Sequence, residues 1–360
     1  MQSKTTGRLA PLALCLSLAA APLAAQTKVY DDFTSSKLGS TWFAWGNSQY
    51  WSLSGGYLRL VQPVNHNEYG FVTLDGIDGD FEVVLKFANY NSTNRAGNEE
   101  LTLHVFDFMG PADKRAEAEV LIGRKWVQQG TTQVWRTFVG AVATDPKAVH
   151  KPGEALANQM AAGELRIARD KTGITCAFRE ASTLAWTTVV TWPDYLRSIV
   201  HVEIEMNTGQ ANAVTVDVDS LSYSGTLRPG PIRIGTGCGA MDAVAGSIPF
   251  LGNADFFIYG GSTALPAKVP TLGILGGTQY QQGLPLGPIA PGCSLYTLPD
   301  FVAAAGLTDS EGFAVFPLPI PTDQQLLGVG FVTQVLAVRC GFNQLCGILS
   351  NGVLAKVEKP

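Results

Sequence analysis

Residues 201–225 read HVEIEMNTGQANAVTVDVDSLSYSG. Val202, Ile204 and Met206 alternate with His201, Glu203 and Glu205; after a polar break, Val214, Val216 and Val218 alternate with Thr215, Asp217 and Asp219. A strand sends successive side chains to opposite faces, so each run offers one apolar face to a core and one polar face to water. With NTGQANA (207–213) as the turn of a hairpin, one register keeps the apolar residues together. It sets Met206 opposite Val214, Ile204 opposite Val216 and Val202 opposite Val218. The polar face then opposes Glu205 to Thr215, Glu203 to Asp217 and His201 to Asp219.

The same pattern runs outward in both directions. WSLSGGYLRL (51–60) is strand, Gly-Gly turn, strand. FEVVLKFANY (81–90), LTLHVFDF (101–108), GELRIARD (163–170), ITCAFRE (174–180) and WTTVVTW (186–192) are further short alternating runs. Helical period is nearly absent; VHKPGEALANQMAAG (149–163) reads as a turn or two of helix, otherwise a loop. Strands joined by Gly, Asn and Asp turns indicate an antiparallel two-sheet sandwich. Only 15% of residues are charged while Gly (39) and Pro (20) are plentiful, which favours turns over surface helices.

The first residues, MQSKTTGRLAPLALCLSLAAAPLAAQ, carry Lys4 and Arg8, then an apolar run, then small residues. That layout predicts a signal peptide over 1–25, cut after Ala25. No later segment is apolar for the roughly 18 residues a membrane span requires, so no transmembrane segment is expected after cleavage. A net charge of −5 without a basic cluster argues against a nucleic-acid partner. A first domain is expected over 26–225, a Pro/Gly-rich linker over 226–235 (TLRPGPIRIG), and a smaller, Gly- and Leu-rich all-β domain with disulfides over 236–360.

Past the leader, five cysteines remain. Four cluster in the second domain, and in an exported chain they read as disulfides whose pairing the sequence alone does not fix. A local bridge Cys340–Cys346 would close GFNQL and leave Cys238 to pair with Cys293. Cys176, inside the apolar run ITCAF, reads as a buried thiol.

DDFTSSKLGSTWFAW, YWSLSGGYLRL, LDGIDGDFEVVLKF, GELRIARDKTGITCAF and VTVDVDSLSYSG resemble, in that order, the concanavalin A-like lectin/glucanase domains of secreted bacterial proteins. The resemblance implies an all-β fold: a concanavalin A-like antiparallel β-sandwich (a curved jelly roll with a concave face that relatives use for sugars). Residues 235–357 resemble a small β-sandwich domain of exported bacterial proteins, to which no activity attaches. Together they imply a concanavalin A-like sandwich followed by a second, smaller β-sandwich. Laminarinase- and lichenase-like relatives carry Glu, Asp and Glu at alternate positions of one strand. Here that row is His201, Glu203, Glu205, Asn207, without the terminal acid.

The expected opposition of Glu203 and Asp217 is a like-charge pair, which needs compensation. Calcium, a shared proton, a neighbouring arginine or plain water would supply it, and Arg166, alternating away from Leu165 and Ile167, is the arginine of choice. The candidates are therefore Glu203, Glu205 and Asp217 for catalysis, and Glu203 with Asp217 for a metal. Trp45, Tyr50, Trp126, Arg166 and His201 are the ligand-binding candidates; Trp42 and Trp51 read as core anchors. Asp75, Asp78 and Asp80 in LDGIDGD lack the spacing of an EF-hand and read as an Asx-bonded turn. There is no nucleophile elbow or HExxH motif. The expected function is non-catalytic binding of an extracellular glycan or cell-envelope component, secreted or at the cell surface, without a cofactor unless calcium is used. A glycoside hydrolase and a structural surface protein are the alternatives.

Overall fold

The computed structural model describes residues 27–360 except 47, 64–68, 93–99, 108–117, 127–132, 142–160, 195, 197–198, 208–212 and 311. The expected signal peptide and the 149–163 segment fall wholly or mostly outside these residues. No α-helix occurs among the described residues, and none is long and apolar enough to cross a membrane.

The first fourteen strands are β1 (Lys28–Asp31), β2 (Trp42–Trp45), β3 (Trp51–Ser54), β4 (Tyr57–Gln62), β5 (Tyr69–Thr73), β6 (Gly76–Ser92) and β7 (Glu100–Asp107). They continue as β8 (Ala118–Trp126), β9 (Gln133–Ala141), β10 (Gly163–Asp170), β11 (Gly173–Arg179), β12 (Thr187–Trp192), β13 (Ile199–Asn207) and β14 (Val214–Arg228). One antiparallel layer runs β3-β4-β14-β6-β10-β11-β12, with β1 also on β14. The other runs β2-β5-β13-β7-β8-β9. The layers join where Ile199 and Val200 of β13 pair with Asp78 and Ile77 of β6.

The core between the layers follows the alternation. Leu58, Leu60, Val83, Leu85, Leu165, Ile167, Val214, Val216 and Val218 come from one layer; Phe71, Leu101, Leu103, Val105, Val202, Ile204 and Met206 come from the other. The β3–β4 hairpin turns on Gly55 and Gly56, both at positive φ (66° and 80°), as a tight two-residue turn requires. Trp42 is buried as expected, its Nε1 donating to Asp31 Oδ2 at 2.8 Å, while Trp51 is half-buried against the core.

The predicted hairpin between residues 201–207 and 214–218 does not form. Both edges of β13 are taken by β5 and β7, and both edges of β14 by β4 and β6. Consecutive strands thus lie in opposite layers. Val202, Ile204 and Met206 share a core with Val214, Val216 and Val218 across the sandwich instead of along one sheet. The alternation that fixes an inward face leaves the neighbour on that face undetermined.

The chain after β14 builds a second core. Its strands are β15 (Ile232–Ile234), β16 (Asp242–Ala245), β17 (Phe257–Gly261), β18 (Pro270–Gly276), β19 (Leu284–Pro285) and β20 (Ser294–Leu295). β21 (Phe301–Leu307), β22 (Phe313–Pro317), β23 (Gly330–Val338) and β24 (Gly347–Lys356) complete it. A five-stranded sheet β15-β24-β23-β18-β21 and a three-stranded sheet β16-β17-β22 enclose Phe256, Ile258, Phe316, Val335, Ile348 and Val353. Disulfides Cys238–Cys293 and Cys340–Cys346 are formed, and Cys176 is buried in the first core, where burial pushes its thiol pKa up.

The segment expected as a linker is strand for much of its length: β14 runs on to Arg228 and β15 begins at Ile232. Two aspartates of LDGIDGD hold it. Asp75 accepts from the Gly230 N–H at 2.7 Å and from the Tyr30 hydroxyl at 3.0 Å, and Asp78 pairs with Arg228 at 2.7 Å. These carboxylates therefore serve distant backbone and side chains, and not the Asx turn that the sequence suggested.

Candidate functional site

Register across the second layer places one row of side chains on its outer face. Trp45 faces Gly70, Gly70 faces Glu205, and Glu205 faces Thr102. The adjoining row is Phe43, Val72, Glu203, His104. Each of these positions alternates with a core residue, so the polar face forms because the apolar one is used up inside.

Four side chains converge there. The Trp45 indole crosses over Gly70, and its Nε1 donates to Glu203 Oε1 at 2.5 Å. His104 Nε2 lies 3.0 Å from Glu205 Oε2 and 2.8 Å from Thr102 Oγ1. Behind the ring, Glu119 Oε2 is 3.9 Å from His104 Nδ1. His104 and Glu205 are buried (side chains 9% and 11% exposed), whereas Glu203 and Trp45 are half-buried and form the open side. Burial alone would lower the His104 pKa. The hydrogen bond and charge of Glu205, with Glu203 and Glu119 behind it, outweigh burial and lift it to about 9. The imidazole is therefore a cation at neutral pH, compensating part of a carboxylate cluster.

Gly70 is what makes room. A Cβ there would stand 2.7 Å from Glu203 Oε1 and 2.8 Å from Trp45 Nε1. Gly70→Ala is expected to expel the indole and break a charge-assisted hydrogen bond, at a cost of about 2 kcal/mol. The measurement is urea unfolding together with tryptophan emission; unchanged stability and emission would remove Gly70 from this role.

The sequence candidates separate. Trp45, Glu203 and Glu205 come together. Asp217 does not join them: it lies in the other layer, where Arg59 binds it through Nε at 2.7 Å and Nη2 at 2.8 Å and Asn89 Nδ2 adds 2.8 Å. These bonds, Arg59 first, hold its carboxyl below the usual range. The Glu203–Asp217 opposition, with its paired catalytic and metal roles, is thereby corrected, and so is its compensation by Arg166. That guanidinium pairs with Glu82 at 2.6 Å and lies 5.4 Å from the Trp186 ring centroid.

His201 is buried, Nδ1 at 3.0 Å from the Thr73 carbonyl oxygen, and burial pulls its pKa down to about 4. It sits beside Phe106, under cover, and not on the wet face where the alternation put it. Tyr50 packs against the core near Tyr69. The Trp126 side chain lies outside the described residues. Sequence reasoning missed His104. Its signal was present, since His104 alternates away from Leu103 and Val105, but nothing in the sequence says that β7 lies beside β13.

No protein-family model matches this chain, and no curated protein does. Among solved structures it is similar to lectin II from Ulex europaeus, with 12% identity and a TM-score of 0.40 over 55% of this chain and 97% of that one. It is also similar to the exoplasmic/lumenal domain of VIP36 in a Ca2+/Man3GlcNAc-bound form (14%, TM-score 0.40, 53% and 85%). A third is a glycoside hydrolase family protein from Mycobacterium thermorestibile (12%, TM-score 0.40, 56% and 100%). These likenesses extend over little more than half of this chain.

Proposed function

We propose that the outer face of the β2-β5-β13-β7 layer binds extracellular carbohydrate without cleaving it. The observation that carries this is the Trp45–Glu203 pair: a half-buried indole held edge-on by a half-buried carboxylate, side by side on one sheet. An aromatic ring offers a sugar its apolar face, and a carboxylate beside it accepts hydroxyl hydrogen bonds, the usual composition of a polar-ligand site. Hydrolysis by paired carboxylates needs one of them to hold a proton. Glu205 is instead engaged by His104 Nε2 at 3.0 Å, and the position that would supply a further acid is Asn207. The apparent division of labour is a saccharide-binding first domain (26–225) and a disulfide-bonded second domain (236–360) for attachment or assembly. Export by the N-terminal segment fits the two disulfides, which persist in oxidising compartments.

Screening the chain on a glycan array, then titrating the best hit, tests the reading. Trp45→Ala is expected to cost about 2 kcal/mol, roughly a thirtyfold loss of affinity, and Glu203→Gln a comparable amount. An array without hits overturns it. Release of reducing ends that Glu203→Gln abolishes would replace binding by catalysis.

A further inference from the structure

We propose that His104, Glu203 and Glu205 form a binding site for a first-row divalent transition ion of the zinc class. One ligand atom from each of the three lies within 4.8 Å of the others. Two of the three contacts are set by the sheet itself, because Glu203 and His104 are directly opposed across β13 and β7, and Glu205 is two residues along on the same face. Small side-chain rotations, with the Nε2 proton of His104 released to solvent as the ion takes its place, bring such a set to ligand distance about an ion with metal–ligand bonds of about 2.0–2.2 Å.

The surroundings are those of a braced site. Trp45 Nε1 fixes one oxygen of Glu203, which orients the carboxylate, and Thr102 and Glu205 fix the direction of the His104 ring. Glu119 lies behind Nδ1 at 3.9 Å, so Nε2 is the nitrogen turned toward the carboxylates. At that distance, beyond hydrogen-bond reach, Glu119 acts on the ring through its charge alone. The absent Cβ of Gly70 lets the Trp45 indole reach across to Glu203. The donor set selects the ion. One imidazole with two carboxylates suits zinc, cobalt, nickel or iron, whereas calcium and magnesium prefer oxygen alone. Three protein ligands leave a further position for water or a ligand oxygen on the half-buried Glu203 side.

The inference does not rest on sugar recognition, and the metal is tested alone. The untagged full chain, stripped with a chelator, is titrated with Co2+ while its visible absorption is followed. One saturable equivalent is expected, with a d–d band of low coordination number that Zn2+ abolishes and Ca2+ does not. Glu203→Gln and Glu205→Gln are each expected to weaken binding about tenfold or more. Glu82→Gln, on the other layer, should leave it unchanged. Circular dichroism checks folding, and Glu203→Gln, at the more open ligand, remains decisive if Glu205→Gln fails to fold. Absence of saturable Co2+ binding, binding indifferent to Glu203→Gln, or equal affinity for Ca2+ would overturn the site.

Discussion

His104→Leu is expected to destabilise the chain by about 3–5 kcal/mol at pH 7. The substitution leaves the Glu205 carboxylate, 11% exposed, without the cation 3.0 Å away, and a buried charge stripped of its partner retains its full desolvation cost. The pH dependence supplies an independent readout. The folded His104 pKa, raised from 6.5 to about 9, lies above its unfolded value. Its contribution is therefore complete below pH 6.5 and is lost as pH rises through 9, on the order of 3 kcal/mol. His201 has the opposite sign, its folded pKa lowered from 6.5 to about 4. Its contribution is present above pH 6.5 and is lost as pH falls toward 4, by a similar amount. Stability should accordingly peak near pH 6.5. Urea unfolding from pH 4 to 9 measures both limbs, and His104→Leu should flatten the alkaline one alone. An alkaline limb that survives the substitution would refute the pairing.

Phe316→Ala and Ile204→Ala are expected to cost about 3–5 and 2–5 kcal/mol, each in a different unfolding transition. Phe316 (1% exposed) and Ile204 (0%) belong to two cores that share no residue. Large-to-small changes in packed cores lose both transfer free energy and contacts around the cavity. Two domains would unfold with some independence, so Phe316→Ala should lower only the transition of the second core. Calorimetry of the intact chain decides it. A single transition that both variants shift equally would mean one cooperative unit, and would end the two-domain proposal.

Sequence alone determined which side of each strand faces inward. Val202, Ile204 and Met206 had to be buried and Glu203 and Glu205 had to look outward, because the pleat alternates and the hydrophobic effect selects one face. It also marked the tight Gly55–Gly56 turn, buried Cys176, and gave the four cysteines that pair. What it left undetermined is which strand lies next to which. Neighbours are chosen by the tertiary fold, through long-range pairings that local periodicity does not encode. Hence the apparent hairpin became a crossing between layers, Asp217 went to Arg59, and Glu203 met Trp45 from 158 residues away. His104 was legible only as a polar residue on an outward face. The sheet order β5-β13-β7 made it the cation of a carboxylate cluster, since only adjacency within a few ångströms lets charges set one another's protonation.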